Sequence, residues 1–317
     1  MNTISQPLVS IVTPVYNGAK YISECIESVL SQTYQNWEYI IVNNCSTDNT
    51  LEIVQSYAKS DVRIRVYDNN QFLNAIENHN YALRLISPES KYCKILHADD
   101  YLFPDCIMQM VLTAEKEPSI GIVSSYAIHG EKVREDKVPY PKTIIPGKEA
   151  CRLSLLTGSY LFGTTPSTVL IRSDLIRKKE EFYINYLHAD LDACFEILQE
   201  TDFGFVHQIL TYSRIHNESR SSFADRVNAY IPAYLFILKK YGHLCLSPED
   251  FDLLLKTKMK SYYRFLGRSL LKRREKEFWT YHQRALEEIG FRLNYLRLGL
   301  STIRFLISQI FNRLWAY

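Results

Sequence analysis

The chain has 317 residues, of which 46% are hydrophobic and 23% charged, with a formal net charge of +2. It is long enough for one large or two smaller buried cores, and its balance is that of a soluble globular protein. Seven cysteines without a C-x-x-C pair argue against a zinc cluster or a disulfide framework, and no apolar run reaches the roughly 20 residues of a membrane span. Met1 to Pro7 carries no basic, apolar leader, so the expectation is a cytoplasmic protein with reduced thiols.

Leu8 to Val15 reads as a first strand and ends in the turn Tyr16-Asn17-Gly18. Ile22, Cys25, Ile26, Val29 and Leu30 follow at i, i+3, i+4, i+7 and i+8, one apolar helix stripe. Tyr39 to Val42 reads as a second strand. It breaks into a polar run from Asn43 to Asp48, where Ser46 or Asp48 caps a helix with Leu51, Val54, Tyr57 and Ala58 inward. Ile64 to Tyr67 is a short strand and Asn74 to Ile86 a helix. Cys93 to Leu96 is a strand that breaks into His97-Ala98-Asp99-Asp100. Pro104 opens a helix at a favoured position, and Ile120 to Tyr126 is another strand. The alternation predicts a mostly parallel sheet with helices on both faces.

Residues 129 to 147 are charged and hold Pro139, Pro141 and Pro146, which reads as a surface excursion. A helix at Lys148 to Leu156, a turn from Gly163 to Pro166, a strand at Ser167 to Arg172, a helix at Asp190 to Gln199 and a strand at Phe203 to Tyr212 follow. From about Asp225 the pattern is only helical, and Ser247-Pro248-Glu249-Asp250 is a capped helix start. From Tyr241 onward 14 Lys and Arg face 7 Asp and Glu, a net +7, while the preceding part carries 23 against 28, a net −5.

Three strands that break into polar clusters at comparable points place one crevice at the carboxyl edge of a parallel sheet, where open α/β sheets bind ligands. Asp99 and Asp100 repel each other in such a crevice, and burying them unpaired is costly. A divalent cation is the simplest partner that stabilises both.

Val9 to Asn17 (VSIVTPVYN), Ile26 to Tyr34 (IESVLSQTY), Trp37 to Asn43 (WEYIIVN), Ser46-Thr47-Asp48 and Leu96 to Pro104 (LHADDYLFP) together resemble family 2 glycosyltransferases of the GT-A fold, over roughly residues 8 to 216. The resemblance implies a Rossmann-like α/β catalytic domain, residues 1–220, followed by a helical region, residues 221–317. It implies transfer of a sugar from a nucleotide diphosphate sugar, usually with Mn²⁺ or Mg²⁺ and with inversion. Thr13, Pro14 and Tyr16 match the wall for the nucleobase. Asn44 stands where the family often has an aspartate that accepts a hydrogen bond from the base. His97 and Asp99 occupy the D-x-D position, with His97 toward the ribose and Asp99, then Asp100, on the metal. Arg214 and His216 match an R-x-H segment that closes on the diphosphate and completes the metal shell. Asp190 matches the general base, with Ala189 replacing a common acid before it and Asp192 as the second candidate. Apart from the resemblance, Tyr160, Phe162 and the turn from Gly163 to Pro166 precede the Asp190 segment and are expected to frame an acceptor sugar by stacking and main-chain contacts.

In the tail, Lys256, Lys260, Arg264, Arg268 and their neighbours form a basic helical tract, and Leu300, Ile303, Ile307 and Phe311 are punctuated by Arg297, Arg304 and Arg313. This suits a helix lying on an anionic membrane surface, which a lipid-linked or other glycan acceptor would make useful. Packing of these helices on the catalytic domain, with a solvated basic face, is the alternative. No recognition module accompanies the charge, so nucleic acid is not an expected partner. Two other functions stay open. One is a catalytically impaired nucleotide-sugar-binding scaffold, given His97, Asn44 and Ala189. The other is a sugar nucleotidyltransferase, which usually needs a glycine-rich basic loop where Tyr16 to Lys20 stand.

Overall fold

The structure, a computed structural model, describes residues 6–134, 138–163, 165–215 and 220–314. They form two compact units, Met1–Ile215 and His216–Tyr317. The first unit runs β1 (Val9–Val15), α1 (Ile22–Leu30), β2 (Trp37–Asn43), α2 (Thr50–Ser60), β3 (Ile64–Asp68), α3 (Ala75–Arg84), β4 (Tyr92–Ile95), β5 (Tyr101–Leu102) and α4 (Cys106–Ala114). It continues with β6 (Ile120–His129), β7 (Lys132–Arg134), β8 (Ile144–Ile145), α5 (Gly147–Thr157), β9 (Val169–Arg172), α6 (Ser173–Arg177), α7 (Ala189–Ile197) and β10 (Asp202–Ser213). The second unit holds α8 (Arg220–Val227), α9 (Tyr230–Cys245), α10 (Pro248–Leu271), α11 (Lys276–Glu288) and α12 (Tyr295–Leu314).

One sheet organises the first unit in the order β3-β2-β1-β4-β9-β6-β10-β5. The strands β1, β2, β3 and β4 pair in parallel, as do β6 and β10. Helices α1, α2 and α4 cover one face with Ile22, Ile26, Val54, Ile107 and Met110, against Val9, Ile11, Tyr39 and Ile41. Alternate strand residues point the other way, toward the side where α3 packs on β1 and β2. The expected α/β sheet is therefore present, with antiparallel pairings at β5, β7, β8 and β9. The strand foreseen from Ser167 begins only at Val169, after a short 3₁₀ turn at Pro166–Thr168, and runs antiparallel to both β4 and β6. The excursion expected over residues 129 to 147 is also partly sheet. β6 continues to His129, β7 folds back on it, and β8 pairs with Phe203 and Gly204 of β10. Prolines are tolerated beside such short strands because few ladder donors are required there.

A part-buried carboxylate ties the amino end of the sheet together. Glu38 accepts hydrogen bonds from Ser10 Oγ at 2.5 Å, Ser87 N at 2.8 Å and Ser87 Oγ at 2.7 Å, and meets Arg65 Nη2 at 2.5 Å. Burial pushes its pKa up, but these bonds and the Arg65 charge outweigh burial and hold it below the ordinary carboxylate value. All seven cysteines are free, five of them buried.

The second unit has its own core, with Leu235, Tyr262, Leu266, Phe278 and Leu286 at its centre. Ser247 caps α10 as foreseen, accepting from Asp250 N at 3.1 Å. α10 and α12 approach closely at Gly267, where an added Cβ would meet Thr302 N at 3.0 Å. No described helix is long and apolar enough to cross a membrane. Inside the core, His282 is fully buried between Tyr262 OH, 2.6 Å from Nδ1, and Val227 O, 2.8 Å from Nε2. A neutral ring satisfies both, accepting at Nδ1 and donating at Nε2.

Burial lowers the His282 pKa from 6.5 to about 4, against a smaller opposing pull from the Val227 carbonyl. Between those values the unfolded chain binds a proton that the folded chain refuses, so stability falls as pH drops from 6.5 toward 4. The loss expected is about 3 kcal/mol. Denaturant titrations across this range should show a steeper acid decline for the wild type than for His282→Gln. Parallel profiles would refute the assignment.

Candidate active site

The carboxyl ends of β1, β2 and β4 lie together because the strands pair in register, Val15 beside Asn43 and Val12 beside Ile95. The turn after β1 is fastened to the loop after β2. Asn17 N donates to Ser46 Oγ at 2.9 Å, Gly18 N to Thr50 Oγ1 at 2.8 Å, and Ala19 N to Asp48 Oδ2 at 3.1 Å. Asp48 also accepts from Thr50 N at 3.1 Å, but the cap position of α2 is Asn49, whose side chain makes no cap bond, rather than the expected Ser46 or Asp48.

Of the residues expected to face the base, only Tyr16 is exposed. Thr13 and Pro14 are buried within β1, and Thr13 Oγ1 donates to Leu96 O at 2.7 Å and bonds Tyr39 OH at 2.9 Å. Their side chains lie in the strand core. Tyr16 instead pairs edge-on with Phe72, centroids 5.0 Å apart, and both rings are at least half exposed. Phe72 escaped the sequence reading. Its signal was an aromatic residue amid the polar run Asn69-Asn70-Gln71.

Asn44 is likewise engaged. It is 3% exposed, its oxygen accepts from Leu73 N and Asn69 Nδ2, each at 3.0 Å, and its nitrogen donates to Leu73 O at 2.8 Å. Asn44 thereby clamps the 69–73 loop, which carries Phe72.

His97, Asp99 and Asp100 converge after β4, each offering a ligand atom within 4.8 Å of the others. Asp100 is 3% exposed and accepts from Arg214 N at 2.9 Å and Ser213 Oγ at 3.3 Å. Its Oδ2 lies 3.8 Å from His97 Nδ1. Burial raises the Asp100 pKa, His97 pulls it down and Asp99 pushes it up again. Two carboxylates and an imidazole at this spacing suit a divalent cation. Arg214 stands beside them. Its Nε donates to Asp99 O at 3.1 Å, its Nη2 meets Glu24 Oε2 at 2.5 Å, and its guanidinium lies 4.6 Å from the Tyr21 ring centre. His216 lies outside the described residues.

Lys94 is the second residue that the sequence reading missed. It is fully buried in β4 and donates from Nζ to Ser167 O at 2.6 Å. Burial lowers its pKa, while Cys106 and Asp100 pull it back up. The signal was a lysine inside the apolar strand Tyr92–Ile95. Ser167 in turn accepts from His97 N at 3.1 Å through its hydroxyl. The 165–168 turn thus braces the cation cluster from below.

The same turn borders a second pocket. Gly163, Thr165 and Pro166 line a small crevice with Tyr183, Asp190 and Cys194. Asp190 is part-exposed in the first turn of α7, where a helix amino terminus favours negative charge. Gly163 adopts φ +84°, and a Cβ there would meet Thr168 Oγ1 at 2.3 Å. Asp192 is 2% exposed. Tyr160 is absent from the crevice lining and packs with Phe162 and Phe195, centroids 6.1 Å away in each case. Ring contacts run on to the cation cluster, from Tyr183 to His79 at 6.1 Å and from His79 to His97 at 5.6 Å.

A family model described as Glycosyl transferase family 2 matches residues 10–177, more than half of the chain. The chain belongs to glycosyltransferase family 2. The matched segment holds the 13–18 turn, Asn44, the cation cluster and Gly163, whereas Asp190 and Arg214 lie beyond it. This transferase is 32% identical over 246 residues to an uncharacterized glycosyltransferase of Rickettsia typhi, covering 75% of this chain and 74% of that one. It is 42% identical over 95 residues to TuaG of Bacillus subtilis, whose name assigns it to teichuronic acid biosynthesis, covering 30% and 37% of the two chains. In fold, the transferase is similar to S. aureus TarS in complex with UDP-GlcNAc, with TM-score 0.64, 18% identity, and 89% and 80% of the chains covered.

The clamp at Asn44 is open to a direct test. Asn44→Asp would set a carboxylate oxygen against the Leu73 carbonyl in place of the donor now 2.8 Å from it. The substitution is expected to destabilise the transferase by about 1–3 kcal/mol, the cost of a buried acceptor without its partner. Thermal or denaturant unfolding reads this, and an unchanged or raised midpoint would show that the amide does not hold the loop.

Proposed function

We propose that this transferase moves a sugar from a nucleotide diphosphate sugar to an acceptor hydroxyl, with inversion at the anomeric carbon. The observation that carries the reading is the 165–168 turn. It touches His97 of the cation cluster on one side and borders the Asp190 crevice on the other. Leaving-group and nucleophile chemistry would thereby share one rigid support.

In this reading the Tyr16–Phe72 edge offers an aromatic surface for the nucleobase, and Arg214 faces the diphosphate. Asp99, Asp100 and His97 would hold Mn²⁺ or Mg²⁺, and the imidazole shifts the preference toward Mn²⁺. When bound, such a cation offsets the negative charge that builds on the departing diphosphate. The Asp190 carboxylate takes the proton of the acceptor hydroxyl as the new C–O bond forms and the old anomeric C–O bond breaks on the opposite face. Gly163 lines the same crevice, and its missing side chain leaves backbone to meet the acceptor. A surface polysaccharide or lipid-linked glycan is the acceptor class that the likeness to TuaG supports. The basic tail then keeps the enzyme at an anionic membrane surface where such acceptors reside.

Two variants separate the roles. Asp190→Asn should lower turnover by ~10²–10⁴-fold while leaving the donor-induced rise in melting temperature in place. Asp99→Ala should remove the part of that rise that depends on Mn²⁺, since a ligand bound only to the folded form stabilises it by mass action. The readouts are nucleoside diphosphate release and thermal shift across UDP-, GDP- and dTDP-sugars. Full turnover in Asp190→Asn would strike that residue from the mechanism.

A further inference from the structure

Within the helical unit a groove of about 440 Å³ runs between α10 and α12. α10 lines it with Lys260, Arg264 and Arg268, which recur every four residues and so share one face. α12 adds Arg304, Ser301 and Ser308, with Phe305 among the lining. Of the described residues, no carboxylate lines the groove. Among the described residues none of its four cations forms an ion pair or a hydrogen bond, and Arg268 has only the face of Phe305, 4.9 Å from its guanidinium carbon.

Like charges four residues apart on a helix repel each other. Gathering a fourth from a second helix adds to that cost, and an anion in the groove would reverse its sign. The donor set specifies the anion. Guanidinium forks match phosphate oxygens in a bidentate manner, and the Ser301 hydroxyl can complete the shell, whereas Ser308 Oγ already donates to Phe305 O at 2.7 Å. The next flank of α12 specifies where the phosphate comes from. Leu296, Leu300, Ile303, Ile307 and Phe311 recur at three- and four-residue spacing, and each is 47–75% exposed. An apolar stripe beside a cluster of cations is the arrangement of a helix lying at the boundary of headgroups and acyl chains.

We infer that the groove between α10 and α12 binds the phosphate headgroup of an anionic membrane lipid, with the apolar flank of α12 entering the acyl layer. This deepens the membrane contact proposed above and rests on it, but not on the transfer chemistry. The full chain, without sugar nucleotide, is sedimented with phosphatidylcholine vesicles containing about one-third phosphatidylglycerol. Removing a charge near such a surface costs about fivefold in binding, so Arg264→Gln with Arg304→Gln should weaken it about twenty-five-fold. Ile303→Ser with Ile307→Ser keeps every charge and should also weaken binding, by about tenfold. Lys239→Gln with Lys240→Gln removes two charges from outside the groove and should cost no more than about threefold. Unchanged helical circular dichroism confirms that each variant is folded.

Equal losses in the two charge variants would overturn the groove while leaving a diffuse membrane contact. Absence of vesicle binding at low salt would overturn both. Stabilisation of the wild type by inorganic pyrophosphate, lost in Arg264→Gln with Arg304→Gln and unaccompanied by vesicle binding, would make this a site for free phosphate and overturn the lipid assignment. None of these outcomes depends on whether sugar transfer occurs.

Discussion

A carboxylate buried at the end of a strand must find donors or a cation, and Asp100 imposes that demand on the catalytic unit. At 3% exposure it has little water to rely on. Its backbone and hydroxyl donors come from Arg214 and Ser213, more than a hundred residues along the chain. Satisfying Asp100 therefore fixes the end of β10 against the end of β4. Arg214 arrives with that segment, and its guanidinium is held between the Asp99 carbonyl and Glu24. The His97-Asp99-Asp100 cluster and the arginine beside it are thus placed by one interaction. A side chain that repels Asp99 also recruits the groups that make the pair tolerable.

The second organising feature is the turn before β9. Ser167 O accepts from Lys94 at 2.6 Å and from Thr211 at 3.2 Å, while Ser167 Oγ accepts from His97 N. A lysine buried without a carboxylate partner is expensive, and its lowered pKa reflects that desolvation. The carbonyl it meets belongs to the segment that β9 inserts, antiparallel, between two parallel groups of strands. Reversal of a single strand is what brings this turn, and with it the Asp190 crevice, to the edge where β4 ends. The crevice and the cation cluster are consequently neighbours through backbone, not only through mobile side chains.

These features differ in how far the sequence exposes them. The strands β1, β2 and β4 are legible because buried parallel strands need continuous apolar residues, and polar runs mark their ends. The α1 stripe and the Ser247 cap are legible because both are set within a few residues. The partners of Asn44 and Lys94 are not, because each is fixed by a segment with no local signature, the 69–73 loop and Ser167. Thr13 illustrates the same limit. Its position at the strand end was apparent, but the Leu96 carbonyl and Tyr39 hydroxyl that take its side chain come from neighbouring strands. Strands as short as β5 and β8 carry too few residues for any periodicity, and only their pairing with β10 defines them.

Charge divides the chain in a way that bears on where it works. The first 240 residues carry a net −5 and the remainder +7. An acidic catalytic segment is repelled by an anionic surface, so attraction to one must come from the tail and must exceed that repulsion. A diffuse excess of lysine and arginine would do this weakly, because exposed charges are screened within about 8–10 Å at physiological salt. Cations converging on one groove act together on a single phosphate at contact distance, where screening is least. An apolar flank adds a contribution that salt does not weaken. The arrangement in α10 and α12 thus combines a salt-sensitive with a salt-resistant term. The sequence alone shows the excess of charge, but only the crossing of the two helices at Gly267 shows that it is concentrated.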